Sequence, residues 1–150
     1  MTPPDKPALI ALARQKAEKF GLNGDLICAL VEQESNWEPF SVRYEPKFLS
    51  RYIAPQYSAG KFTATEAYTR SISWGLLQLM GQVAREMGFD GPFLSALCDP
   101  EIGLEWGCKY FSSLMGRTGN DIDAALTRWN GGSNAAYNEQ VKQRIASYNA

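Results

Sequence analysis

The chain has 150 residues, of which 45% are hydrophobic, 21% charged and 12% aromatic, with a formal charge of −1. That length buries one sizeable core and is short for two, so one domain over residues 1–150 is expected, with the balance of a soluble globular protein. A near-neutral chain lacks the field that holds phosphate backbones, which excludes nucleic acid as an expected partner, and the absence of histidine excludes Ser-His-Asp and Cys-His catalysis and a completed zinc site.

The opening "MTPPDKPALIALARQKAEKF" has prolines where an export signal needs a basic start, and its apolar run is broken by Arg14 and Lys16, so no export signal is expected. Pro7 can open a first helix, with Leu9, Leu12, Ala13, Lys16, Ala17 and Phe20 at three-four spacing and Gly21 at its close. "NGDLICALVEQES" restarts a helix after the Asn23-Gly24 turn, with Asp25 near its positive end and Pro39 beyond its far end. From about Tyr44 to Ser71 the pattern is poor. Pro46, Pro55 and Gly60 interrupt it, and "TATEAYTR" is the one further helix expected there, with Thr63 or Thr65 as its cap. Residues 40–85 are mildly basic, which reads as a solvated face or as an attraction to a polyanion.

"SISWGLLQLMGQVAREMG" reads as an extended or turning piece through Gly75, leading into a helix that ends at Gly88. Asp99-Pro100 starts another, striped by Ile102, Trp106, Tyr110 and Leu114. A short helix over Asp121 to Trp129 is buried through Ile122, Ala125, Leu126 and Trp129. A final helix is striped by Tyr137, Val141, Ile145 and Tyr148. No apolar run is long enough to cross a bilayer, so no stable membrane insertion is expected. Cys28 is expected in the core, while Cys98 and Cys108 are open to a disulfide. The fold class expected is mainly α: a helical bundle domain with a small β-hairpin or irregular insertion beside the active-site cleft, the insertion at about residues 44–72.

Glu34 stands out because it shares a helical stripe with Ile27, Leu30 and Val31. A carboxyl placed there is desolvated, and in a last helical turn it also meets the partial negative charge of unpaired carbonyls; both effects favour the protonated form. Such a group can act as a general acid near neutrality, as an acid in an apolar pocket does in glycosidases. The alternative is an edge position, with Glu34 reaching water or pairing with an arginine such as Arg43.

Four stretches taken in order bear on that choice: "ALVEQESNWEP", "SWGLLQLM", "RWNGG" and "YNEQV". They resemble the motifs of the soluble lytic transglycosylase family, relatives of goose-type lysozyme with a lysozyme-like fold: Glu-Ser ending a helix, Gly-Leu-Met-Gln with an apolar residue after it, Ala-Tyr-Asn-x-Gly, and a later Tyr. The resemblance implies Glu34 as the single catalytic acid/base. It would cleave the bond between N-acetylmuramic acid and N-acetylglucosamine in peptidoglycan glycan strands, leaving a 1,6-anhydro ring. It implies Gln78, Asn130 and Tyr137 as substrate-binding residues, amides suiting sugar hydroxyls and acetamido groups. Ser73 is expected to line the cleft, and Tyr44 and Trp74 offer faces on which a pyranose could stack. Ser35, Gly75 and Gly131 are expected to be structural, through a back-bond to the helix, a backbone conformation suited to glycine, and a turn.

The chain also departs from the family pattern. Arg43 stands where the family commonly has a serine, nine residues after the glutamate. About thirty residues lie between there and Gly75, where many members have a few. Trp129 replaces the tyrosine of the third motif, and Leu77 replaces methionine. Neither metal nor organic cofactor is expected, and the protein is expected to be a monomer. Two other functions stay open: a lysozyme-type hydrolase on the same scaffold, and a non-catalytic wall-binding or virion module. The expected setting is a phage lysis protein or particle component acting on the wall, or alternatively a mature periplasmic domain.

Overall fold

In the computed structural model, which describes residues 4–132 and 134–149, the chain is built around one helix buried on nearly every side. This is α2 (Gly24–Ser35), in which every residue from Leu26 to Val31 is buried. Asn23 caps it by accepting from the Leu26 amide at 3.1 Å, and Asn36, left-handed at φ 48°, ends it. Helices α1 (Lys6–Lys19), α7 (Pro100–Arg117), α8 (Ile122–Asn130) and α9 (Tyr137–Tyr148) enclose it. Helices α1 and α9 bury the faces expected from their spacing. In α7, however, Leu104, Cys108, Phe111 and Leu114 are buried, with Ile102, Trp106 and Tyr110 only partly covered, and in α8 Ala125 and Leu126 are buried while Ile122, in the first turn, stays exposed. Asp5 caps α1 through the Ala8 amide, and Asp99 and Asp121 cap α7 and α8. The one charged residue buried in α1, Lys16, is held by Glu101 at 2.6 Å and Glu105 at 2.9 Å on α7.

Beside this bundle lies an antiparallel sheet of β1 (Val42–Tyr44), β2 (Ile72–Trp74) and β3 (Leu79–Met80), in that order. Arg43 faces Ser73, Val42 faces Trp74, and Tyr44 faces Ile72. The mainly α, lysozyme-like class with a small β element is therefore what the chain adopts. A second apolar cluster, including Trp74, Leu79, Phe89, Leu94 and Leu97, joins the sheet to α6 (Gly81–Glu86) and a 3-10 turn, Leu94–Cys98.

Two readings between β1 and α6 are corrected. The segment joining β1 to β2 is not mostly irregular: α3 (Pro46–Phe48), a π turn at Leu49–Ile53, α4 (Ala54–Ser58) and α5 (Ala64–Arg70) make it largely helical. The reason is position, because Pro46 and Pro55 fall in first turns, where the missing N–H costs nothing and the fixed φ helps. Thr63 does cap α5, accepting from Glu66 N at 3.2 Å. A bidentate ion pair from Arg85 on α6 to Glu66 ties this segment to the rest. Secondly, the piece after Gly75 first makes β3, so the helix that follows is only six residues long. The pairing left open for Cys98 and Cys108 does not form: Cys28, Cys98 and Cys108 are all free thiols. Burial pushes Cys28 up to about 11 and Cys108 up to about 12, so both behave as small apolar core residues. Among the described residues no helix is long and apolar enough to cross a membrane.

Candidate active site

The last turn of α2 carries Glu34 to the wall of a cleft of about 480 Å³ between the bundle and the sheet. Ser35 bonds back to Val31 O at 3.1 Å, the structural role expected of it. Two donors from the other end of the chain meet Glu34 on a single oxygen: Tyr137 Oη gives a hydrogen bond to Oε1 at 2.6 Å, and Trp129 Nε1 gives one at 3.2 Å. Burial raises the Glu34 pKa above the ordinary carboxyl value; the bonds from Tyr137 and Trp129 and the charge of Arg43 oppose that rise without cancelling it. The Tyr137 phenol is raised in turn, by its own burial first and then by the neighbouring carboxyl. Arg43 also lines the cleft, but its close partner is Glu45 at 2.9 Å, not Glu34.

Strand alternation sorts the neighbouring candidates. Successive side chains of a strand point to opposite faces, so paired Arg43 and Ser73 both reach the cleft, while Tyr44 and Trp74 face away from it. Trp74 is 8% exposed, packs in the second apolar cluster and donates its indole N–H to Thr69 O. Tyr44 lies against Tyr68, with centroids 6.0 Å apart. Neither lines the cleft, and sugar stacking on these two rings is withdrawn.

Gln78 does line the cleft, from a left-handed backbone conformation at φ 50°. Its Nε2 donates to both Ser41 O and Gly75 O at 2.9 Å, so the remaining Oε1 is the atom available as an acceptor. Gly75 has φ 73°, and a Cβ there would lie 2.5 Å from Leu97 O, so its position is barred to larger residues on two counts. Asn130 Oδ1 is held by the Gly132 amide at 2.8 Å, which leaves its NH2 group as the donor on the cleft side. Gly131, left-handed at φ 81°, caps α8 and lets the chain turn away. Among the described residues no group of three or more Cys, Asp or Glu is gathered as a metal site would require.

The profile of the transglycosylase SLT domain matches residues 11–150. The chain belongs to the transglycosylase SLT domain family. It is 27% identical over 131 residues to membrane-bound lytic murein transglycosylase C of Cronobacter sakazakii, covering 83% of this chain and 31% of that protein. The proteins of the same name from Shigella sonnei and Salmonella typhimurium are 26% and 25% identical, each over 93% of this chain and 35% of their own length. The chain thus spans about a third of the curated relatives it matches. No solved structure matches it.

This SLT domain brings Glu34, Ser73, Gln78, Asn130 and Tyr137 to one cleft from five places in the chain. It also adds Tyr110 and Arg128, which sequence reasoning did not nominate. Tyr110 was legible only as part of an apolar stripe. In the folded SLT domain its ring lies 5.7 Å from that of Trp129, tilted by 32°, and lines the cleft. Trp129 had a signal, since it departs from the family pattern beside Asn130, but its contact with Glu34 did not show in the sequence.

The Tyr137–Glu34 bond yields a pH prediction with a definite sign. Tyr137→Phe deletes a donor that favours the carboxylate and leaves the ring, and hence the desolvation, in place. The Glu34 titration should therefore move to higher pH. Carbon-labelled glutamate followed by NMR through a pH series checks it; an unchanged or lowered midpoint would show that the phenol does not stabilise the charged form.

Proposed function

We propose that this chain is a peptidoglycan lytic transglycosylase that cleaves the bond between N-acetylmuramic acid and N-acetylglucosamine, with Glu34 as its single acid/base. The observation that carries the reading is the desolvated Glu34 carboxyl, opening on a cleft and held by Tyr137 and Trp129. Membership of the family, and relatives named lytic murein transglycosylases, support it.

In the first step Glu34 gives its proton to the glycosidic oxygen as the C1–O bond breaks and its electron pair passes to that oxygen. In the second, the resulting carboxylate takes the proton of the muramic acid 6-hydroxyl while O6 bonds to C1, so no water is consumed. Gln78 Oε1 and the Asn130 amide are the acceptor and donor suited to hydroxyl and acetamido groups along the strand. Retaining and inverting glycosidases commonly need two carboxyl groups. Here the other carboxylate lining the cleft, Glu45, is engaged by Arg43, which favours an internal hydroxyl over an activated water.

Hydrolysis is the second reading, and Glu45 is the observation behind it: released from Arg43, it could serve as the base for a water. Digestion of purified sacculi and mass spectrometry of the released muropeptides separate the two. Anhydro ends, lighter by one water, are expected, and ends of hydrolysed mass would replace this mechanism with the second.

We take residues 1–150 to act as one domain, with residues 44–72 flanking the cleft. Every group invoked comes from one chain, so a monomer suffices. The bacterial wall is the place of action, and between a phage particle and a bacterial envelope the second is better supported, since the relatives above are bacterial and named as membrane-bound murein enzymes.

A further inference from the structure

We infer that Trp129 is a positioning residue that keeps the transferable proton of Glu34 on Oε2, the carboxyl oxygen that meets neither Trp129 nor Tyr137. The inference rests on the reading of Glu34 as a general acid and concerns which of its oxygens acts.

A neutral carboxyl can carry its proton on either oxygen, and only one placement is productive. Tyr137 by itself would not decide between them, because a phenol hydroxyl both donates and accepts; a proton on Oε1 could simply be given to Tyr137, away from substrate. An indole N–H only donates. At 3.2 Å from Oε1, Trp129 occupies one lone pair there and Tyr137 is left to donate into the other. A carbonyl oxygen offers two such lone pairs and a hydroxyl oxygen one poorer one, so Oε1 is the carbonyl oxygen and the O–H belongs to Oε2.

The indole is aimed by its packing, edge-on to Phe111 at 5.5 Å and tilted over Tyr110 at 5.7 Å. When the proton leaves Oε2 for the glycosidic oxygen, both donors stay on the carboxylate that forms. A tyrosine, which the family pattern has at this position, carries a group that can accept as well as donate. This chain's tryptophan removes that ambiguity.

The test compares wild type with Trp129→Phe and with Trp129→benzothienylalanine, which keeps the indole shape but has sulfur in place of N–H. On sacculi, kcat should fall roughly tenfold, the order of one hydrogen bond to a charged group, with KM within about twofold. The alkaline limb of the rate profile should move to higher pH, since a donor to the carboxylate is gone. By infrared difference, the carbonyl stretch of protonated Glu34, assigned as the band lost in Glu34→Gln, should rise in frequency when its donor is removed. An unchanged stretch, or a loss carried by KM alone, would overturn the inference. Should wild type cleave no wall material, the proposed function fails, while the infrared shift still tests the proton's position.

Discussion

Glu34→Gln should reduce the release of muropeptides from sacculi by about 10²–10⁴-fold, the usual worth of a positioned proton donor, while binding to the wall persists. The amide keeps the shape of the acid, and its oxygen can accept from Tyr137 and Trp129 as Oε1 does in the wild type. Cleavage surviving this change would remove Glu34 from the mechanism. A wild type that binds sacculi but never cleaves them would leave the wall-binding module as the better reading.

The same variant makes a second, thermodynamic statement. The folded-state pKa of Glu34 lies above its unfolded value because burial disfavours the charge. Between those two values the native state holds the proton that the unfolded chain has lost. The stabilising contribution is therefore complete below the unfolded pKa and disappears as pH rises through the folded one. Glu34→Gln escapes that loss, so its melting temperature relative to wild type should be higher at pH 8 than at pH 4. A difference that shrinks with rising pH would contradict the assigned direction. Stability sacrificed for a poised acid is the usual cost of an active site.

Gly75→Ala should destabilise the fold by about 2–5 kcal/mol, adding roughly 1–2 for a left-handed alanine to roughly 1–3 for overpacking. The new Cβ would sit 2.5 Å from Leu97 O, a backbone atom that cannot swing aside as a side chain would. Gly60→Ala is the control: its φ is 77°, but nothing lies within 4 Å of the added Cβ, so only the conformational cost remains. Denaturant midpoints of the two variants measure the difference. Equal losses would mean that the loop shifts freely around Gly75. Because Gly75 O also holds the Gln78 amide, the same change should raise KM.

How much of this was legible beforehand depends on the range of the interaction. Helical stripes, caps such as Thr63, and the place of Glu34 at the end of α2 follow from spacing within a few residues, and they were readable. The strands are only two or three residues long, too short to show alternation. Tyr44 and Trp74 were thus nominated for their rings alone, and the pleat turned both away from the cleft. In sequence Pro46 and Pro55 read as interruptions, whereas their positions in first turns make them helix starters. Tyr110 was hidden in a stripe whose other members are packing residues.

By itself, then, the sequence determined the helices of the bundle, the family resemblance and the candidate for the acid, because local periodicity and short motifs are written in neighbouring residues. Only the tertiary structure decided what surrounds that acid. Tyr137 and Trp129 are 103 and 95 positions away along the chain and reach the same oxygen because α9 packs against α2 and α8 packs against α9. Desolvation and directed hydrogen bonds depend on distances in space, and those distances exist only once the helices have packed.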